Sequence, residues 1–98
     1  MARVIWAPRA LSDLEALLEY IARDAPASAR RFGEKILARV ELLAEFSESG
    51  SLVAEDHTET YREVFQGSYR IIFRSAKNLV VVVAIHHGAR LLDTDRLE

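Results

Sequence analysis

The side chains best suited to chemistry are concentrated in the last third of the chain. Arginines lie among aromatic and β-branched residues in Tyr61–Arg74, and the apolar run Leu79–Ile85 leads into a histidine pair and another arginine. The candidate side chains are Arg62, Tyr69, Arg70, Arg74, His86, His87 and Arg90. Guanidinium groups bind carboxylates and phosphates through paired hydrogen bonds, and histidine exchanges a proton near neutral pH. These residue types therefore indicate an anion-binding surface or an acid–base site.

A predicted sheet of sequential strands has to position these side chains. Turn-forming residues at Gln66-Gly67-Ser68 and Lys77-Asn78 divide this part of the chain into three segments with the composition of strands. The predicted strands are Tyr61–Phe65, Tyr69–Arg74 and Leu79–Ile85. Strands joined by such short connections pair with their sequence neighbours, so we expect an antiparallel meander.

Alternation along the strands assigns the side chains to the two faces of that sheet. Tyr69 belongs to the apolar face of its strand, and Arg70 and Arg74 belong to the opposite face. We expect the apolar face to lie on helices and the arginine face to stay open for another macromolecule. Consecutive residues point apart, so His86 and His87 are predicted on opposite faces and not as one unit.

A short strand and two amphipathic helices precede the sheet. Arg3–Trp6 is a strand candidate, and Pro8 occupies a first-turn helical position, where its missing N–H costs nothing. The first helix ends at Asp24-Ala25-Pro26, and the second runs from about Ala27 to Phe46, each with apolar residues at helical spacing. Helices joined by so few residues pack as an antiparallel hairpin.

The order strand, helix, helix, three strands predicts an α+β fold in a single domain, residues 1–98. We expect an N-terminal strand and an antiparallel two-helix hairpin packed on an antiparallel three- to four-stranded sheet. Ser47–Thr60 is predicted as a loop, with Leu52-Val53 as its one candidate for an extended piece. Two interpretations of Arg90–Glu98 stay open, a final half-turn of helix and a loose tail.

Composition excludes several classes of protein. Half of the residues are hydrophobic and 29% are charged, which is typical of a globular chain and not of a disordered one. The absence of cysteine excludes disulfides and thiolate chemistry. No apolar run approaches the roughly 20 residues of a membrane span, so we predict no membrane association and a cytoplasmic location. His57 beside Glu55-Asp56 lacks the spacing of a metal site, and we predict no metal and no cofactor.

Charge is distributed unevenly along the chain. Residues 1–60 hold seven Lys or Arg against eleven Asp or Glu, a balance of −4, whereas residues 61–98 hold six against four, a balance of +2. A protein that grips a nucleic acid backbone is usually basic overall. The net charge of −2 therefore predicts at most local contact with nucleic acid.

Ordered motifs in both halves of the sequence resemble the RelE/ParE toxin superfamily. The first half contributes Trp6-Ala7-Pro8, Tyr20-Ile21-Ala22 and Phe32; the second contributes Tyr61-Arg62-Glu63, Tyr69–Arg74 and an apolar strand that ends in histidine, with Arg90 beyond it. The resemblance covers nearly the whole chain. It implies a toxin of a bacterial type II toxin–antitoxin module, neutralised by a small antitoxin encoded beside it, and a fold of the kind derived above.

The superfamily divides into two chemistries. RelE-like members are ribosome-dependent endoribonucleases, and ParE-like members poison DNA gyrase and thereby block replication. A nuclease that uses the ribose 2′-hydroxyl needs a proton acceptor, a leaving-group acid and cations on the phosphate, and RelE-like sites usually supply these with several lysines and arginines and a late tyrosine or histidine. This chain has only Lys35 and Lys77, and no tyrosine after Tyr69. The resemblance is therefore closer to the ParE-like branch.

For a ParE-like toxin we expect DNA gyrase as the target, a heteromeric complex with a ParD-like antitoxin, and no specific nucleic-acid binding by the toxin alone. The residues expected to contact target or antitoxin are Arg62, Tyr69, Arg70, Arg74, His87 and Arg90. A RelE-like nuclease would instead use His87 with Arg70 and Arg90. A non-toxic relative that only binds antitoxin in operon repression is the third alternative. The structural alternative for the strand arginines is pairing with Glu63 and Glu55.

Overall fold

A computed structural model describes all of residues 1–98. Its elements are β1 (Arg3–Trp6), α1 (Pro8–Ala22), α2 (Pro26–Leu42), β2 (Ser51–Leu52), β3 (Arg62–Gln66), β4 (Tyr69–Ala76), β5 (Leu79–His87) and a 3₁₀ turn at Thr94–Arg96. The five strands form one sheet in the order β1-β5-β4-β3-β2. β1 runs parallel to β5 and every other pair is antiparallel. No helix is both long and apolar enough to cross a bilayer.

The predicted α+β class, the helix hairpin and the meander β3–β4–β5 are confirmed, but the sheet is larger and more mixed than expected. Instead of an antiparallel sheet of three or four strands, it has five strands with one parallel pair. The parallel pair arises because the chain leaves β1 through both helices, re-enters the sheet at the opposite edge in β2, and reaches β5, the neighbour of β1, only after β3 and β4. The fifth strand is β2, at Ser51–Leu52 rather than Leu52-Val53, paired with β3.

Proline fixes the start of each helix, as the sequence indicates, since Pro8 and Pro26 lie in the first turns. α2 ends at Leu42 instead of Phe46. The residues that follow continue as hydrogen-bonded turns, and the carbonyl oxygen of Ala44 accepts a 2.9 Å hydrogen bond from the backbone N–H of Ala2. The end of α2 is thereby attached to the start of β1.

The helices cover one face of the sheet and form the main core. Its buried members are Ala10, Ile36, Val40, Leu43, Val64, Ile71, Phe73, Val80, Val82 and Ile85. Ile71 and Phe73 come from the apolar face of β4, with Tyr69 partly buried beside them. The predicted orientation of β4 toward the helix hairpin is therefore confirmed.

A second core covers the opposite face, where the sequence predicts an open surface. That prediction is wrong, because loop and tail residues fold back onto the sheet. Val53 of the loop and Leu92 and Leu97 of the tail are each less than 5% exposed. They pack on Ile72, Val81, Val83 and Ala84. Arg90–Glu98 is accordingly an ordered cover that includes a short helical turn, and not a loose tail.

A β-bulge in β5 decides which histidine faces the helices. Ile72 pairs with Ala84 and Phe73 pairs with Val82, so Val83 is an extra residue in β5. The alternation of β5 changes phase at this point. As a result His87 pairs with Tyr69 on the helix side, and the predicted placement of the two histidines on opposite faces is confirmed.

Candidate functional site

The predicted site residues are distributed over several places rather than gathered at one, and Arg62 lies apart from the rest, beside Gly50. Tyr69, His87 and Arg90 line a cleft beside α1, Arg70 lies in a buried ion cluster on the opposite face, and Arg74 binds the end of the tail. Each place is built differently and supports a different chemistry.

The cleft has a volume of about 610 Å³ and lies between α1 and the ends of β4 and β5. Its lining combines an acid, two tyrosines, two histidines, an arginine and three apolar side chains: Asp13, Ala16, Leu17, Tyr20, Tyr69, Ile85, His86, His87 and Arg90. Tyr20 is 68% exposed, and Arg90 is also exposed. An aromatic cleft with an exposed cation at its mouth is suited to binding a partner that offers an acidic or polar group.

Aromatic packing holds the wall of the cleft in place. The Tyr69 ring packs edge-on against Phe32 and against His87, with centroids 5.2 Å apart in both pairs. The Nδ1 atom of His87 accepts a 3.1 Å hydrogen bond from the backbone N–H of Ala89. The Nε2 atom of His87 makes no hydrogen bond within the chain, so it is the ring nitrogen that remains available to a partner.

Asp13 attaches α1 to β5 at the floor of the cleft. Its carboxylate accepts a 3.0 Å hydrogen bond from the backbone N–H of Ile85 and lies 3.5 Å from the Arg9 guanidinium. Neither Asp13 nor Tyr20 is predicted as a lining residue from the sequence alone. Periodicity alone cannot identify them, because their roles depend on how α1 packs along β5; the one signal was that Tyr20 lies in a segment of the family resemblance.

Arg70 is the centre of a buried ion cluster on the covered face. Its guanidinium donates to both carboxylate oxygens of Glu55, at 2.9 and 3.0 Å, and to Glu63 at 3.1 Å. A further bond of 2.8 Å reaches the carbonyl oxygen of Arg90. Arg70 is 5% exposed, so the structural alternative of pairing with Glu55 and Glu63 is confirmed, and the expectation of an open guanidinium is wrong.

The cluster also shifts the protonation of its members. Hydrogen bonding to Arg70 is the main cause that lowers the pKa of Glu55 to about 2, and a backbone hydrogen bond from Leu92 acts in the same direction against burial. Glu55 raises the pKa of Arg70 in turn, followed by Glu63. Because Arg70 binds the carbonyl of Arg90 and Glu55 binds the N–H of Leu92, this charged cluster fastens the tail to the sheet.

Arg74 and Tyr61 hold the far end of the tail. The Nε atom of Arg74 lies 2.9 Å from the carboxylate of Glu98, which also accepts a 2.7 Å hydrogen bond from the Tyr61 hydroxyl. Burial, and then the neighbouring Glu98 carboxylate, raise the pKa of Tyr61 to about 12. The expected open position of Arg74 is therefore also wrong, since its guanidinium is occupied by the tail and one-third exposed.

Arg62 lies on the helix-facing side of β3 and donates a 2.8 Å hydrogen bond to the carbonyl oxygen of Gly50. Gly50 passes so close to the sheet that an added Cβ would lie 2.7 Å from the carbonyl oxygen of Glu63 and 3.0 Å from the Phe73 ring. Only glycine fits this approach without movement of the backbone. Arg62 thus stabilises the connection from α2 into β2.

The proposed nuclease set is divided by the sheet. Arg70 pairs with His86 in the register of β4 and β5 and faces the covered side, while His86, near the end of β5, also lines the cleft. His87 faces the helices, and the side chain of Arg90 lies at the mouth of the cleft while its carbonyl oxygen binds Arg70. Of His87, Arg70 and Arg90, only His87 and Arg90 share one cavity.

Comparison with known proteins identifies a family that this chain matches. The family described as ParE toxin of type II toxin-antitoxin system, parDE, matches residues 4–92. Two curated relatives come from Caulobacter vibrioides. Toxin RelE2 is 40% identical over 93% of this chain and 100% of its own length, and Toxin RelE3 is 32% identical over 90% and 96%.

A solved structure described as the chromosomal ParDE TA system from P. aeruginosa has the same fold. Its chain superimposes with a TM-score of 0.75, covering 89% of this chain and 96% of the other, at 18% identity. The shared fold includes the helix hairpin and the sheet that bound the cleft.

Proposed function

This chain belongs to the ParE family of type II toxin–antitoxin toxins, and we propose that it inhibits DNA gyrase by binding, without a catalytic site of its own. We also propose that a ParD-like antitoxin holds it inactive in the cytoplasm. The observation that supports a binding mechanism is the division of the nuclease set: Arg70 is buried in an ion cluster on one face, and His87 lies on the other. Arg70 and His87, on opposite faces of the sheet, cannot act on one phosphodiester, so Arg90 is the only cation of the set that lies beside His87.

The cleft beside α1 is the surface that we assign to the target. Tyr20 and Arg90 are exposed at its mouth, and neither carries a structural side-chain contact that their replacement would remove. Aromatic and arginine side chains dominate the binding energy of many protein interfaces. A gyrase surface bearing a carboxylate would satisfy the Arg90 guanidinium.

The test is DNA supercoiling by gyrase in the presence of the purified toxin, run beside translation in a ribosome extract. We expect loss of supercoiling and intact messenger RNA. The variant Tyr20→Ala with Arg90→Gln should restore supercoiling, whereas the control Glu48→Gln, an exposed residue away from the cleft, should inhibit as the parent does. Intact supercoiling together with cut messenger RNA would assign the chain to the RelE-like branch.

An apolar groove of about 600 Å³ between β1 and α2 is the surface that we assign to the antitoxin. β1 is an edge strand, and Leu37 and Leu42 of α2 are 49% and 47% exposed along the groove. An extended or helical partner segment docks at surfaces of this type. Leu37→Arg should weaken antitoxin binding by at least tenfold in a titration. Leu11→Arg, a change of an equally exposed leucine outside the groove, should not.

The second candidate function is a RelE-like, ribosome-dependent endoribonuclease. Two observations favour it: both curated relatives carry RelE names, and His87 and Arg90 share the cleft. In that case His87→Ala should abolish cleavage and leave thermal unfolding nearly unchanged. A third candidate, a non-toxic relative, is separated from both by induction without the antitoxin, because only the toxic forms arrest growth.

A further inference from the structure

A row of three cations without carboxylate partners lies on α2; its one side-chain hydrogen bond within the chain runs from Arg31 to the Ser28 hydroxyl at 3.1 Å. Arg31, Lys35 and Arg39 follow one another at intervals of four residues, so they form a row about 12 Å long on one side of the helix. This row is called the α2 cationic strip. None of its members lies within ion-pair distance of a carboxylate, whereas Arg9, Arg70, Arg74 and Arg96 all do.

The acidic residues of α2 lie beside the strip rather than within it. At 100° per residue, Glu34 and Glu41 lie about 100° and about 120° around the helix from Lys35, whereas Glu34 lies about 60° from Arg31 and forms no ion pair with it. Arg39 lies in the last turn of α2, where the helix dipole favours a cation. Like charges four residues apart repel one another, so a polyanion bound along the strip would relieve this repulsion.

The surroundings of the strip are polar. Arg31 and Lys35 line a shallow cleft of about 290 Å³ with the β3–β4 turn, which contributes Gln66, Gly67 and Ser68. Hydroxyl, amide and backbone N–H groups of this kind are the usual accessory contacts to phosphate oxygens. A protein partner would require an apolar core at the interface, and the strip offers none of its own.

The aromatic residues of this cleft favour a duplex over a single strand. Phe32 and Tyr69 form its floor, but both are half-buried and packed edge-on against each other. Single-stranded nucleic acid is held by bases that stack on free aromatic faces, and these rings are engaged already. The strip is thus equipped for backbone phosphates and lacks a platform for bases.

We propose that the α2 cationic strip binds the phosphate backbone of duplex DNA without sequence preference. The contact involves about three phosphates, so it is weak, with a dissociation constant of about 10⁻⁴ M or higher at physiological salt. It adds a DNA contact to a protein whose net charge is −2 and gives the toxin a second point of attachment wherever duplex DNA is presented. The proposal is independent of the assignment of gyrase as target, because it concerns the toxin alone.

The test measures binding of the purified chain to a short fluorescent duplex of random sequence by anisotropy, over a range of salt concentrations. Neutralising three phosphates predicts a slope of about −3 in a plot of log K against log salt, or a loss of about 40-fold between about 50 and about 200 mM. The variant Arg31→Gln with Lys35→Gln should reduce the slope to about −1 and the loss to about fourfold.

The matched control removes the same charge elsewhere. Arg30 is exposed on the same helix but lines the groove toward α1, and Lys77 lies in the β4–β5 turn, so Arg30→Gln with Lys77→Gln should keep a slope of about −3. Equal slopes for the two double variants would overturn the proposal. So would the absence of duplex binding at low salt, or binding of poly-glutamate that depends on Arg31 and Lys35 while the duplex is ignored; the last result would mark the strip as a protein-binding surface.

Discussion

The two faces of the sheet differ in how many of their cations the fold engages. On the face covered by loop and tail, Arg70 and Arg74 bind carboxylates and a backbone carbonyl, so their charges stabilise the fold. On the helix side, Arg62 binds the carbonyl oxygen of Gly50 and Arg9 pairs with Asp13, but the cations of α2 have no carboxylate partner, and the exposed Arg90 lines an open cleft. An arginine within an apolar strand therefore stabilises the fold of this protein, whereas the unpaired cations on the surface of α2 remain available to a partner.

The difference follows from what covers each face. Two helices bring a continuous apolar stripe, to which the Asp13 carboxylate adds a hydrogen bond from the Ile85 N–H. The loop and tail contribute only three buried apolar residues, Val53, Leu92 and Leu97, and have little regular structure. Ordering such segments costs conformational entropy that so small a core offsets poorly. The Arg70 cluster supplies directed hydrogen bonds at the point where loop and tail meet.

Removing the central cation should have the largest effect on this arrangement. Arg70→Met leaves Glu55 and Glu63 charged and poorly solvated, and we expect the free energy of unfolding in urea to fall by about 3–5 kcal/mol. Arg74→Met is the comparison, because its ion pair is one-third exposed and should cost about 1 kcal/mol or less. Adding Glu55→Gln and Glu63→Gln to Arg70→Met should recover part of the loss. Equal costs for Arg70→Met and Arg74→Met would contradict a special role for the cluster.

Truncation of the tail core tests the same cover from its apolar side. Leu97 is 1% exposed, so Leu97→Ala should destabilise the chain by about 2–4 kcal/mol through lost burial and a residual cavity. Leu91→Ala is the control within the same segment, because Leu91 is 86% exposed and should change stability by less than about 0.5 kcal/mol. A small effect at both leucines would mean that the tail lies loosely on the sheet in solution.

Lowering the pH should destabilise the packing of the loop and tail on the sheet before it destabilises the packing of the helices. The pKa of Glu55 is about 2 in the folded chain against an ordinary 4.5, so its contribution to stability is complete above about pH 4.5 and is lost as the pH falls toward 2. Unfolding in this window takes up about one proton at Glu55. The variant Glu55→Gln should show a correspondingly shallower fall of stability with pH, measured by urea titrations between pH 2 and 6, whereas Glu48→Gln should follow the parent. A parallel fall in both variants would assign the acid sensitivity to other groups.

The sequence predicts the helix-facing half of this molecule well. Helical periodicity, the two prolines and the turn residues locate both helices and the three strands of the meander, and alternation correctly turns Tyr69 toward the helices. These are local patterns, each readable within a short window. The parallel pairing of β1 with β5 is a long-range contact, and no local pattern encodes it.

The covered face and the site were harder to predict for the same reason. Leu92 directly follows the exposed Leu91, and Leu97 stands alone among polar residues, so no periodicity marks the tail as a cover. The type of Arg70 suggests anion binding equally well to a partner or to Glu55 and Glu63, and only the fold decides between them. The sequence does not predict the α2 cationic strip, because exposed charges are common on helices. The lack of ion-pair partners for these residues is visible only in three dimensions.

Replacing Arg90 should have the smallest effect on stability and is the sharpest test of the comparison between the faces. Its carbonyl oxygen belongs to the Arg70 cluster, but its side chain is exposed in the cleft. Arg90→Gln keeps the backbone carbonyl that Arg70 binds, so the free energy of unfolding should stay within about 0.5 kcal/mol of the parent value. The proposed inhibition of gyrase should fall, because the cleft loses its exposed cation. Loss of both properties would mean that the guanidinium is structural like that of Arg70. Retention of both would remove the cleft mouth from the target-binding surface.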